Sequence, residues 1–163
     1  MTNALQDSRF SVPADDYMQV VDLVNRLNYA FDVWDVETMV GMFTEDVVIQ
    51  HARGDVEGRD ALRSFYEDYR PLTLGVRRHA VNHVVDGLSD GTIRVTSYNL
   101  LIRVAPVSDS GLTERQMVSE FDIYPAIYVH AVMIDTFRKD PHVGWRICHR
   151  SAAQNSLNRT LRH

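Results

Sequence analysis

The sequence predicts an α+β fold, with helices first and a strongly curved, largely antiparallel sheet after them. Three observations predict it. The first third of the chain repeats its apolar residues at helical spacing. The rest alternates apolar and polar residues with a period of two. Only short turns separate the later segments, so neighbouring strands return on one another, and the helices must cover one sheet face.

The first helix is predicted from Asp15 to about Trp34. Tyr17, Val20, Leu23, Val24, Leu27, Phe31 and Trp34 recur at intervals of three and four. Asp15 and Asp16 suit its start, where acidic side chains meet free N–H groups and the positive dipole end. A short second helix covers Val36 to Phe43, and Thr44-Glu45-Asp46 makes a turn before a strand at Val47-Val48-Ile49. Gly54 and Gly58 break the chain again. Arg59 to Tyr69 forms a third helix, with Leu62, Phe65, Tyr66 and Tyr69 on one side and Pro71 ending it.

Strands follow. His79, Val81, His83 and Val85 fall on one face by alternation, which turns Arg78 away from His79 towards solvent. Ser89-Asp90-Gly91 is a hairpin turn, and Thr92 to Val104 a long strand. Pro106 to Thr113 is a loop rich in Ser, Asp and Gly. Met117 to Phe137 holds one or two strands interrupted near Pro125, Asp140 to Gly144 turns, and Trp145 to about Ala153 is the last strand. The organisation is an N-terminal arm (1–14), a single domain (15–155) and a C-terminal tail (156–163).

Composition narrows the function. The chain has 163 residues, enough for one domain that buries roughly 70% of its unfolded surface. Seventeen basic against 22 acidic residues give a formal charge of -5, which argues against a general nucleic-acid binder. A single cysteine, Cys148, excludes an intramolecular disulfide and a multi-cysteine zinc site. In the last strand it reads as a buried, inert thiol. No apolar run is long enough to span a bilayer, and the N-terminus lacks the pattern of a secretory signal. A cytoplasmic protein is the expectation. There is no HExxH and no glycine-rich phosphate loop, so neither a metal nor a nucleotide cofactor is expected.

Several runs carry a resemblance. Tyr29-Ala30-Phe31-Asp32-Val33-Trp34-Asp35 followed by Met42-Phe43-Thr44-Glu45-Asp46, then Gly58-Arg59-Asp60-Ala61-Leu62, then Arg78 to His83, then Asp135 to Arg138 and Gly144 to Arg150 stand in one order. Over residues 15–152 the chain resembles the SnoaL-like group of the nuclear transport factor 2-like superfamily. The resemblance implies a cone: three helices on a strongly curved sheet, enclosing a pocket open at one end. It also implies a homodimer or higher homo-oligomer built on the outer sheet face.

For function the resemblance implies, in the scytalone dehydratase and dehydrochlorinase branches, an Asp on the first helix and a His on the first long strand. The matching positions are Asp32 and His79. A neutral imidazole accepts a proton, and a carboxylate behind it fixes its tautomer. Such a pair performs dehydratase-like lyase or isomerase chemistry on a small, apolar cyclic or aromatic molecule without a cofactor, gaining ~10²–10⁴-fold in rate. Tyr29 and Tyr66 are candidate proton donors. His83, His130 and Trp34 are candidate substrate contacts. The bland readings are a flank position for Asp32, a core position for His79, and aromatic core for the tyrosines. The alternative function is a non-catalytic ligand carrier or scaffold, such as a relative of the small subunit of ring-hydroxylating dioxygenases. Met133, where relatives often carry an aromatic residue, and a longer Ser119–Tyr128 stretch depart from the family pattern and leave the substrate open.

Overall fold

The structure is a computed structural model that describes residues 11–70, 73–106 and 122–161. Three helices, α1 (Ala14–Val33), α2 (Val36–Gly41) and α3 (Arg59–Tyr69), pack on a six-stranded sheet. Its strands are β1 (Phe43–Gln50), β2 (Val56–Glu57), β3 (Val76–Gly87), β4 (Ile93–Arg103), β5 (Ala126–Asp140) and β6 (Gly144–Leu157). The order across the sheet is β2-β1-β6-β5-β4-β3. β1 runs parallel to β6 and every other pair is antiparallel, so the sheet is mixed. It curves without closing, with β2 and β3 as its edges.

The α1 stripe predicted from spacing is the core face: Val20, Val24, Leu27 and Phe31 are buried. They meet Phe43, Val47, Leu62, Val95, Phe137 and Ile147 between the helices and the concave sheet face. Each such side chain, fully buried, contributes about 1.5–3 kcal/mol. Asp16 makes no cap for α1; its carboxylate accepts the Trp145 indole N–H at 2.8 Å and the Lys139 ammonium at 2.9 Å, tying the helix start to the β5–β6 hairpin. Trp34 ends α1 in the left-handed region at φ 60°. Asp35 then caps α2 by accepting the Thr38 N–H at 3.0 Å.

Some boundaries move. Thr44-Glu45-Asp46, expected as a turn, lies inside β1, because Phe43 is fully buried and already pairs with Ile147 of β6. A register irregularity between Phe43 and Val48 absorbs the polar residues. β2 has two residues, too short for periodicity to reveal. β6 continues past residue 155, and Leu161, in a short 3-10 turn, is buried rather than part of a loose tail. The expectations on residues 1–10, Pro71, 107–121 and 162–163 lie outside the described residues.

The largest correction concerns β3. Val81 pairs with Tyr98 and Val84 with Thr96, so two residues, Asn82 and His83, stand opposite Ser97. Asn82 takes the left-handed conformation at φ 55°. This bulge switches the alternation, since one extra residue moves everything beyond it to the other face. His79 and Val81 therefore do not share a face with Val85. Val76, Arg78 and Ala80 turn inward, and His79 is exposed. Among the described residues no helix is long and apolar enough to cross a membrane.

Candidate functional site

A cavity of about 140 Å³, partly open to solvent, lies between α1, α3, the end of β1 and the concave sheet face. Its apolar wall includes Phe31, Ile49, Phe65, Leu101, Val129 and Met133. Its polar groups are Asn28, His51, Tyr66, Arg78, Asn99 and Arg150, with Tyr69 and Asn155 beside them.

Arg78 reaches the cavity because the inward register of β3 places it beneath α1. Its guanidinium carbon lies 4.6 Å over the Phe31 ring. One arm donates to Asp32 at 3.3 Å, and its backbone N–H donates to both Asp32 oxygens at 3.1 Å. The Nη2 group is buried without a partner among the described residues. Burial lowers the Arg78 pKa, against the pull of Tyr69, Asp32 and Tyr66, but a guanidinium stays protonated. Burial also raises the Asp32 carboxyl, outweighing the hydrogen bonds and charge of Arg78 that act the other way.

A second ion pair supports the cavity wall. Arg150 of β6 donates Nε and Nη2 to the two oxygens of Asp135, at 2.6 and 2.9 Å. Asp135 is fully buried and Arg150 nearly so. Burial alone would lower the Arg150 pKa, but Asp135 and, less, Tyr66 raise it overall. Tyr66 is felt by both guanidinium groups; burial raises its pKa well above the usual phenol range and keeps it a proton-bearing donor. Asn28 donates to Asn99 at 3.4 Å, leaving the Asn28 carbonyl oxygen buried without a partner among the described residues.

His51 was not singled out from the sequence. It stands just beyond β1, with its ring edge-on to Phe65 at 5.2 Å and near Tyr69 at 5.7 Å. Its Nδ1 accepts the Arg53 backbone N–H at 3.1 Å. That bond assigns the proton of the neutral ring to Nε2. Burial, with the charge of Arg53, lowers its pKa. His51 is thus held as a neutral donor. The signal was present: Val47, Ile49 and His51 follow one another with period two, and the first two are buried core.

Of the seven residues expected at the site, Tyr66 lines this cavity. The expected Asp32–His79 pair is not formed, because the β3 register gives Asp32 to Arg78 and turns His79 outward. Arg78, expected to face solvent, is buried. Tyr29, Asp32 and His79 do lie together, in a shallow surface depression on the other side of Asn28 and Arg78, which line both. Tyr29 is 69% exposed there. His83 sits in the bulge with Nε2 buried and unpartnered among the described residues, and burial lowers its pKa. His130 faces the outer sheet surface, 5.3 Å from the Tyr98 ring. Trp34 lies edge-on to Phe31 at 6.4 Å, under Arg70, outside the cavity lining. Cys148 is half-buried, donates to the Thr136 carbonyl at 3.3 Å, and is raised in pKa by burial. Among the described residues no three His, Cys, Asp or Glu side chains are grouped to hold a metal ion.

The sequence model of a SnoaL-like domain matches residues 13–151. No curated protein matches the chain. Solved structures do. A protein of unknown function with a cystatin-like fold from Nostoc punctiforme PCC 73102 is 20% identical, with a TM-score of 0.70 over 93% of this chain and 98% of that one. ActVI-ORFA from Streptomyces coelicolor is 18% identical, with a TM-score of 0.67 over 87% and 96%. A protein from Catenulispora acidiphila, solved in complex with S-DNPA, is 16% identical, with a TM-score of 0.65 over 86% and 95%. At these identities the likeness is one of fold.

Proposed function

The chain belongs to the SnoaL-like domain family, and from that premise we propose that it binds a small cyclic or aromatic molecule in the cavity and promotes its isomerisation, elimination or cyclisation without a cofactor. The observation that carries this reading is the set of donor-bearing side chains lining the aromatic cavity: Arg78, whose Nη2 has no partner among the described residues, Tyr66 and the neutral His51. Donors fixed around a carbonyl oxygen polarise it and stabilise the partial negative charge that grows on it in the transition state. The complex of the Catenulispora acidiphila protein with S-DNPA supports small-molecule binding by this fold.

The chemistry differs from that expected of an Asp–His pair. Among the described lining residues none offers a free basic lone pair. His51 Nδ1 is engaged, Tyr66 keeps its proton, and both arginines are cations. The reaction therefore suits a substrate whose C–H is already acidic, with water at the open side carrying the proton from carbon to the carbonyl oxygen to give the neutral enol while Arg78, Tyr66 and His51 polarise that oxygen. Asp32 is a positioning residue that acts through Arg78.

The test is hydrogen exchange in D₂O of a cyclic 1,3-diketone that remains protonated at neutral pH, 2-acetylcyclohexanone, followed by NMR. Exchange faster than in buffer, and lost in Arg78→Met, supports catalysis. Binding without faster exchange supports the second reading, a ligand carrier, which the absence of a free base in the described lining favours.

A further inference from the structure

The charges around the cavity say more about what it accepts. This inference rests on the reading of the cavity as a ligand site. Two guanidinium groups line it, and each is already matched by a carboxylate, Arg78 by Asp32 and Arg150 by Asp135. Neither carboxylate belongs to the lining; Asp32 faces the outer depression, and Asp135 is fully buried. The described lining thus presents donors of cationic side chains to the cavity with no net charge behind them. A carboxylate brought into this site loses its hydration and meets cations that are already neutralised, which is costly. An uncharged acceptor oxygen loses little and meets strong donors.

Two of the residues that line the cavity carry a buried polar atom without a partner among the described residues: Arg78 has Nη2, a donor on a side chain only 4% exposed, and Asn28 has Oδ1, an acceptor. Arg78 lines the cavity with its guanidinium carbon 4.6 Å over the ring of Phe31, another lining residue. The volume, about 140 Å³, suits one six-membered ring, since cavities of about 150 Å³ hold benzene. We propose that the cavity selects an uncharged ring bearing an acceptor oxygen for Arg78 and a neighbouring donor for Asn28, as in a carboxamide, a lactam or a hydroxy-ketone, and rejects the matching carboxylate.

Three probes of nearly equal shape test it: benzamide, benzoate and isopropylbenzene, titrated by NMR at pH 7. One charge-assisted hydrogen bond corresponds to about tenfold in affinity. Benzamide is expected to bind at least about tenfold more tightly than either of the others. Arg78→Met is expected to remove the preference for benzamide over isopropylbenzene. Asp32→Asn keeps the side-chain shape but leaves the Arg78 charge unmatched, so benzoate is expected to gain about tenfold relative to benzamide; this variant keeps the test open if Arg78→Met fails to fold. Benzoate binding as well as benzamide to the unmodified protein overturns the proposal, as does isopropylbenzene doing so. In both cases the cavity still binds rings. If no probe binds, isopropylbenzene included, the ligand-site reading itself fails and takes this proposal with it.

Discussion

The two oxygens of Asp32 share the backbone N–H of Arg78, at 3.1 Å each, while one of them also accepts the Arg78 guanidinium at 3.3 Å. A single carboxylate on α1 thereby fixes both the main chain and the side chain of one residue on the edge strand β3. The free side of an edge strand presents N–H groups with no ladder partner, and Asp32 satisfies one of them.

Asp32→Ala is therefore expected to destabilise the fold by about 3 kcal/mol, because it strands a buried guanidinium. Asp32→Asn is expected to cost less and to change the pH dependence. The folded carboxyl has a raised pKa, so between its ordinary value of 3.8 and its folded value the native state binds more protons than the unfolded chain. Stability from this group is full below 3.8 and lost as pH rises through the folded pKa. Asp16, Asp35, Asp46, Asp90 and Asp140 shift the other way and gain stability as pH rises, so the test is the difference between the two proteins: by urea denaturation at a series of pH values, the unmodified protein should lose stability relative to Asp32→Asn as pH rises above 3.8.

Arg150 and Asp135 behave as a unit. Arg150→Met leaves the fully buried Asp135 carboxylate alone and is expected to cost about 4 kcal/mol. Replacing both, with Arg150→Met and Asp135→Leu, is expected to return close to the original stability, since a buried pair and a packed apolar pair differ little. A double-mutant cycle by chemical denaturation measures the difference. Additive losses from the two single changes would show that the pair is not coupled.

The fold was legible in the sequence because its signals are local. The α1 stripe, the α3 face and the turn at Ser89-Asp90-Gly91 each follow from spacing or turn chemistry within a few residues. The site was less legible, and Asn82 is the reason. Its bulge inserts one residue between Val81 and Val84, and no alternation pattern announces a left-handed asparagine. Parity counted back from Val85 hence placed His79 inward and Arg78 outward, whereas parity counted from the buried Val76 places Arg78 inward. His51 follows the Val47–Ile49 alternation, but the turn expected at residues 44–46 and the break at Gly54 leave that alternation only three residues long in the sequence. The ion pairs Asp32–Arg78 and Asp135–Arg150 join residues 46 and 15 apart, and spacing carries no signal for such pairings.

Gly75 precedes β3 at φ 68°, and a Cβ there would meet the Ala105 carbonyl oxygen well inside contact distance. The strain of the left-handed region adds about 1–2 kcal/mol for an L side chain. Gly75→Ala is expected to lower the melting temperature by at least about 3 °C, since each kcal/mol lost is worth about 2–4 °C in a domain of this size. Asn82→Gly, at the other left-handed position, is expected to be nearly neutral. Thermal unfolding followed by circular dichroism separates the two.

The outer sheet face exposes Val81, Val84, Tyr98 and Ile127 on adjacent strands, and Val81 pairs directly with Tyr98. Contiguous exposed apolar surface of this kind is a mark of protein contact. Self-association through this face is expected, with Tyr98→Glu shifting the protein to monomer while leaving the cavity unaltered. Light scattering coupled to size exclusion reads the mass. A monomer at all concentrations in the unmodified protein would remove the dimer from consideration.

His51 provides the last test, because its role as a donor has a pH signature. Its folded pKa is lowered from 6.5, so its stabilising contribution is present above 6.5 and is lost as pH falls through the folded value. His83 shifts in the same direction, so His51→Gln should reduce the acid-side fall without abolishing it. For catalysis the consequence is opposite to that of a histidine base. A base near its ordinary pKa gives a rate that climbs between pH 6 and 7. A ring whose pKa is lowered, with Nδ1 bonded to the Arg53 N–H and acting only as a donor, gives no rise centred on 6.5, and His51→Gln, which retains a donor, should keep a larger share of the rate than His51→Phe. A rate that rises with an apparent pKa near 6.5 and vanishes equally in both variants would make His51 the base and reassign the chemistry of the cavity.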